Sequence, residues 1–275
     1  MKNPPRSYLL AGDAPVMPAL TKVLAGSSET AGPGEAVLLA RPEGDPAGDA
    51  ALAAALGLPV WGRGYGAWDS AAGAVAKARA AFGGLDALVH APQQKPDTGG
   101  ILAAEPWAAE AALRDPLFQA YYLAAAAAPV LRRDGCLLFI GHASGIFGAE
   151  DGAARAAANA GLLGLVRALA RELAPRGLRA NLLLPLDGCA PEDAAIVAAW
   201  LCAAESDGPS GQVFLCHDRA VWLLGQGGVQ IGGETRRIAR LERPWDIATL
   251  RQATREAFSP YYFQAGVEAN HLAQR

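Results

Sequence analysis

Few side chains in this 275-residue sequence can move a proton near neutral pH, and the four histidines are the first to consider. His142 follows the apolar run Cys136–Ile140 and Gly141, so it stands at a strand end where a general base could face a cleft. The carboxylates nearest in sequence that could orient it, Glu150 and Asp151, fall in the next loop. A histidine filling space at a strand end explains the same residue with fewer assumptions, and that reading is adopted. Ser144 serves the turn, and Tyr121 and Tyr122 lie in a helical stretch where they pack. Cys136, Cys189, Cys202 and Cys216 are scattered without CxxC or Cys/His ligand spacing. No metal site is expected from them, and reduced, mostly buried thiols are the default.

These residues need elements to hold them. With 52% hydrophobic and only 19% charged residues, the chain is built to bury a large core. Short apolar runs alternating with helical patterns read as an α/β fold, a Rossmann-like doubly wound parallel sheet of about seven strands. The runs fall at Tyr8–Ala11, Ala36–Ala40, Pro59–Gly62, Ala87–His90, Cys136–Ile140, Arg179–Leu184 and Val213–Cys216. Helices are expected over Ala71–Phe82, Trp107–Leu131, Gly152–Leu173 and Ala194–Ala204. Residues 1–216 make the main domain. Residues 217–275 form a small extension packing on it or on a partner, with short strands at Ala220–Leu224, Val229–Ile231 and Arg237–Leu241 and a helix at Trp245–Phe258.

A formal net charge of −3 leaves no footprint for nucleic acid. Arg236, Arg237, Arg240 and Arg243 are interleaved with Glu234 and Glu242, which reads as a solvated face. Met1–Ser7 has no apolar run of leader length, and Leu123–Leu131 is too short to span a bilayer. A cytoplasmic protein with no membrane partner is the expectation.

Four segments in order carry a resemblance. They are Gly84-Leu85-Asp86-Ala87-Leu88-Val89-His90, Cys136–Gly145, Gly161–Ala174 and Leu178–Pro185. The series resembles the short-chain dehydrogenase/reductase (SDR) family from about Tyr8 to Phe214. The resemblance implies an NAD(P)-dependent oxidoreductase built on a TGxxxGxG loop and an Asn, Ser, Tyr, Lys tetrad. Here the loop reads Ala11-Gly12-Asp13-Ala14-Pro15-Val16-Met17-Pro18, so only Gly12 fits and Val16 and Pro18 take the other glycine positions. A β-branched side chain would then sit where phosphate approaches, and Asp13 would repel it. The family's Asn-Asn-Ala-Gly is replaced by His90-Ala91-Pro92-Gln93, and its adenine-contacting acid by Gly64. Arg41, at the place of a 2′-phosphate partner, reads as an ordinary surface arginine. The tetrad positions fall on Pro116, His142, Arg155 and Asn159, and the long lid after the sixth strand is reduced to a few residues before Pro191.

No catalysis and no cofactor are therefore expected in this chain. The resemblance implies a non-catalytic structural or regulatory subunit, similar to the degenerate subunits of heteromeric hydroxyacyl-CoA dehydrogenases. The partner would be a catalytic SDR homologue carrying NAD(P), in a hetero-oligomer such as a heterotetramer. Two alternatives stand beside it: a ligand-sensing or scaffold pseudoenzyme assembling as a homo-oligomer, and an active oxidoreductase with atypical residues.

Overall fold

The computed structural model describes residues 6–25, 36–40, 54, 59–61, 64–92, 101, 105–149, 152–203, 208–224, 235–240, 246–247 and 250. Strand and helix alternate as the apolar pattern predicts. The elements run β1 (Ser7–Gly12), α1 (Val16–Leu24), β2 (Ala36–Ala40), β3 (Val60–Trp61), α2 (Trp68–Phe82), β4 (Leu85–Ala91) and α3 (Pro106–Ala127). They continue with β5 (Leu131–Ile140), α4 (Ser144–Phe147), α5 (Ala153–Leu173), β6 (Arg179–Pro185), α6 (Pro191–Cys202), β7 (Val213–His217), β8 (Ala220–Leu224) and β9 (Thr235–Arg240).

The sheet order is β3-β2-β1-β4-β5-β6-β7-β8-β9, with parallel pairing from β3 through β7 and antiparallel pairing from β7 to β9. Alternate residues of each strand go to opposite faces, as a period of two demands. Leu10, Val89, Leu138 and Phe214 pack toward α1 and α6. Leu9, Leu88, Leu137 and Leu215 pack toward α2, α3 and α5. Two layers of helix thus cover one sheet, and strand direction reverses its winding between β1 and β4. The carboxyl ends of those two strands form the crevice where open α/β sheets hold ligands.

Several boundaries move. The helix expected to run to Leu131 stops at Ala127, because Pro129 allows only a short 3-10 turn before Leu131 opens β5. α6 begins at Pro191, which is pre-set for a first helical position, rather than at Ala194. α1 and the one-turn α4 are additions to the sequence reading. The parallel part has the expected seven strands, and the strands expected at Ala220–Leu224 and Arg237–Leu241 join it antiparallel as β8 and β9, so the sheet has nine. The expected strand at Val229–Ile231 lies outside the described residues, as does most of the helix expected over Trp245–Phe258.

One buried cation locks the far end of α6. Arg179 of β6 is 6% exposed and donates to the carbonyls of Leu201 and Ala203, at 2.8 Å each. Those carbonyls end a helix, where the dipole is negative and acceptors lack partners.

Candidate functional site

At the carboxyl ends of β1 and β4 the two backbones approach closely. Gly12 has φ +153°, and a Cβ there would collide with the Ala91 carbonyl. That same carbonyl accepts from the amides of Asp13 (3.2 Å) and Ala14 (3.1 Å). A helix N-terminus binds phosphate through free N–H groups. Here two of the turn's donors face Ala91, Met17 N donates to Ala14 O (2.9 Å), and Pro15 and Pro18 have no N–H. Val16 corrects the sequence reading: it does not stand at the mouth. It is buried at 5% exposure among the α1 core residues, while Pro18 is exposed. The Asp13 and Ala14 amides are thus committed to the Ala91 carbonyl.

Aromatic side chains fill the space beside this turn. Tyr65 and His90 are both fully buried, their rings edge-to-face with centroids 5.6 Å apart, and His90 meets Phe139 in the same way at 6.3 Å. Burial pushes the Tyr65 hydroxyl above the ordinary tyrosine range, and the Asp13 charge adds to that. Burial also lowers His90 to about 3, so its ring is neutral. The Gln119 amide offsets this slightly, yet neither His90 nitrogen nor the Tyr65 hydroxyl completes a hydrogen bond of good geometry. Gly64, the adenine position, instead accepts from the Trp61 indole at 2.9 Å. Arg41 lies outside the described residues.

Three of the four tetrad positions come together at the carboxyl end of β5, and they form a clip. Asn159, buried in the second turn of α5, accepts from the His142 amide (2.7 Å) and donates to the Arg155 carbonyl (2.9 Å). Both ends of its amide are used to tie helix to loop. Gly141 makes room for it, since a Cβ there would meet Asn159 Oδ1 at 2.6 Å. Gly145 likewise lets α4 lie against the α5 backbone at Ala160. His142 Nδ1 accepts from the Ser144 amide (3.1 Å), which leaves the proton of a neutral ring on Nε2. Nε2 is 3.5 Å from the Asp187 carboxylate, itself fully in solvent. Glu150 and Asp151, the orienting groups considered in sequence, lie outside the described residues. Pro116 is inside α3, where it contributes no N–H at all. Its neighbour Leu117 sits over Gly161, whose Cβ would approach Leu117 Cδ2 to 2.8 Å, so α3 and α5 pack closely.

The lid is absent from the described connection: β6 ends at Pro185 and α6 starts at Pro191. Among the described residues no group of His, Cys, Asp and Glu could hold a metal ion, and no helix is long and apolar enough to cross a membrane. Two apolar surfaces stand out. One is the outer side of α3, where Leu113, Phe118 and Tyr121 are exposed. The other is a groove of about 520 Å³ between α2 and the end of α3, lined by Trp68, Val75, Arg79 and Val130.

Sequence reasoning missed Tyr65, Gln119 and Asp187. A bulky aromatic inside Gly62-Arg63-Gly64-Tyr65-Gly66, just past β3, was a signal of a ring packed against the end of β4. Asp187 is remote from His142 in sequence, and only the β5–β6 pairing makes them neighbours.

A family model described as enoyl-(acyl carrier protein) reductase matches residues 50–187. Over 54 residues the chain is 43% identical to the 3-oxoacyl-(acyl-carrier-protein) reductase MabA of Mycobacterium avium; the match covers 20% of this chain and 21% of that protein, about a fifth of its length. A short-chain dehydrogenase/reductase of Brucella melitensis superposes with a TM-score of 0.67 at 23% identity, over 77% of this chain and 94% of the other. A 3-ketoacyl-(acyl-carrier-protein) reductase of Brucella melitensis, solved with NADH, gives 0.67 at 19% identity over 76% and 96%. A short-chain dehydrogenase of Mycobacterium avium gives 0.65 at 20% identity over 91% and 94%. Those identities show the shared fold alone. With the family match over half of the chain, and the motifs in family order on a sheet of the family's topology, this protein belongs to the short-chain dehydrogenase/reductase family.

Proposed function

We propose that this chain is a non-catalytic subunit of an SDR-type oxidoreductase assembly, pairing with a catalytic homologue that carries NAD(P). The observation that supports it most is Asn159. At the lysine position of the tetrad it is a buried, neutral amide with both ends engaged in holding the β5 loop to α5. Such a group supplies no charge to lower a neighbouring pKa, and Arg155 at the tyrosine position cannot act as an acid near neutral pH. The spent donors at Ala91 point the same way for the cofactor. The exposed aromatics of α3 supply a surface that a partner can cover.

Calorimetric titration with NAD(H) and NADP(H) tests the first half. No measurable heat of binding is expected, and micromolar affinity for either would overturn it. Light scattering after size exclusion, alone and with a co-expressed intact homologue, tests the second. Phe118→Glu or Tyr121→Glu is expected to abolish the assembly, because each places an unpaired carboxylate in a desolvated interface. A chain monomeric in every background refutes the subunit reading. The second reading, a self-assembling ligand-sensing protein, draws support from the apolar groove lined by Trp68 and Arg79. It is favoured if the purified chain self-associates and ignores the homologue.

A further inference from the structure

Two thiols meet at the carboxyl edge of the sheet, 27 residues apart in sequence. Cys189 lies in the short connection between β6 and α6, and Cys216 is in β7; their sulfurs are 3.5 Å apart. The backbone fixes this meeting. The Leu186 amide donates to Cys216 O (3.0 Å), the Cys189 amide donates to Leu186 O (2.9 Å), and Gly188, at φ +80°, makes the turn between them. Cys216 is buried, whereas Cys189 is only half-buried and open to a small reagent. Among the described residues nothing completes a metal site around them. A disulfide has an S–S distance of about 2.05 Å, so the sulfurs need to close by roughly 1.5 Å, a side-chain adjustment.

We propose that Cys189 and Cys216 form a redox-active dithiol, oxidised by hydroperoxides to an intramolecular disulfide with Cys189 as the attacking sulfur. The Cys189 thiolate attacks one peroxide oxygen, the O–O bond breaks, and the other oxygen leaves as an alcohol, or as water from hydrogen peroxide, once protonated. Cys189 is then a sulfenic acid. Cys216 sulfur attacks Cys189 Sγ, the S–O bond breaks, and hydroxide leaves as water with the Cys216 proton. Two thiols and one hydroperoxide give one disulfide, one alcohol and one water; the sulfurs lose two electrons and the peroxide gains them. The hydrogen bond between the sulfurs holds Cys189 below the ordinary thiol value and Cys216 well above it, which matches attacker and resolver.

The other two cysteines are an internal control. Cys136 of β5 and Cys202 of α6 also partner each other, but both are wholly buried. The Cys189–Cys216 link would in addition fasten the 186–190 connection, which carries Asp187 to its place beside His142.

The test uses the full, reduced, unaltered chain, treated with one equivalent of hydrogen peroxide. Free thiols are expected to fall from four to two, and the intact monomer to lose two hydrogen atoms. Peptide mapping is expected to join the Cys189 and Cys216 peptides, and dithiothreitol to restore all four thiols. Cys216→Ala is expected to stop at a sulfenic acid on Cys189 that dimedone traps. Cys189→Ala is expected to slow thiol loss by about tenfold or more, since the remaining sulfurs are shielded. A Cys136–Cys202 link, a link between two chains, or Cys189 passing to sulfinic acid while Cys216 stays free would overturn the proposal. The mapping on the unaltered chain decides the question even if a variant folds poorly.

Discussion

His90 makes this fold acid-sensitive, and the size of the effect follows from its surroundings. The ring is wholly buried between Tyr65 and Phe139, and burial holds it neutral down to about pH 3. An unfolded chain protonates the same imidazole near 6.5. The folded value is depressed, so folding loses nothing above pH 6.5. Below it the unfolded state takes up a proton that the folded state refuses, and stability drops as pH falls from 6.5 toward 3. At 1.36 kcal/mol per unit, the penalty is about 2 kcal/mol at pH 5 and about 3 kcal/mol at pH 4. Native domains are stable by only about 5–15 kcal/mol, so this is a large share.

The assay is urea unfolding of the unaltered chain and of His90→Phe at half-unit steps from pH 7.5 to 4. Phenylalanine keeps an aromatic ring against Tyr65 and Phe139 but cannot titrate. Carboxylates titrate alike in both proteins and cancel in the difference. A fixed offset from repacking is expected above pH 7, with the variant gaining about 2 kcal/mol relative to the unaltered chain by pH 5. A difference that stays constant across the range refutes the burial argument for His90.

Other consequences are as direct. Gly12→Ala places a methyl group against the Ala91 carbonyl at a backbone angle that disfavours side chains; a loss of about 3 kcal/mol or more, or failure to fold, is expected in chemical denaturation. Asn159→Ala orphans the His142 amide and is expected to cost about 1–3 kcal/mol in chemical denaturation. Arg155→Tyr combined with Asn159→Lys rebuilds two tetrad types, yet no oxidation of NADPH with a ketoacyl-CoA is expected, because the amides of Asp13 and Ala14 still donate to the Ala91 carbonyl; measurable turnover would contradict the reading of that turn.

The parts of the fold that repeat were legible in sequence, because a period of two or 3.6 is a local signal. Leu9, Leu10, Leu88 and Val89 alternate between the two faces as their runs imply. Element ends were less legible where a proline decides them, as Pro129 and Pro191 do, since one residue outweighs the trend around it. The strands β8 and β9 were legible as short apolar runs, and β8 follows β7 through a two-residue turn, but their joining to the main sheet as its edge was not. The site was legible as a set of missing residue types but not as a geometry. Nothing in the sequence places Val16 in the core, or turns Asn159 into a clip between Arg155 and His142.

That clip bears on what holds the end of β5 to α5. Buried polar groups are stable only when their hydrogen bonds are complete, and an unpaired cation in the same place is costly. A lysine at position 159 would need a partner for its charge and would give up the acceptor that holds the His142 amide. The amide of Asn159 satisfies both neighbours without charge, so the end of β5 and the start of α5 are fixed by it. Ala91 does the equivalent at the other strand end, using its carbonyl to hold the turn that follows Gly12. In both places backbone amides at a strand end are held by the protein itself. A substitution that frees the Asp13 and Ala14 amides, or the His142 amide, is therefore expected to loosen the fold as well.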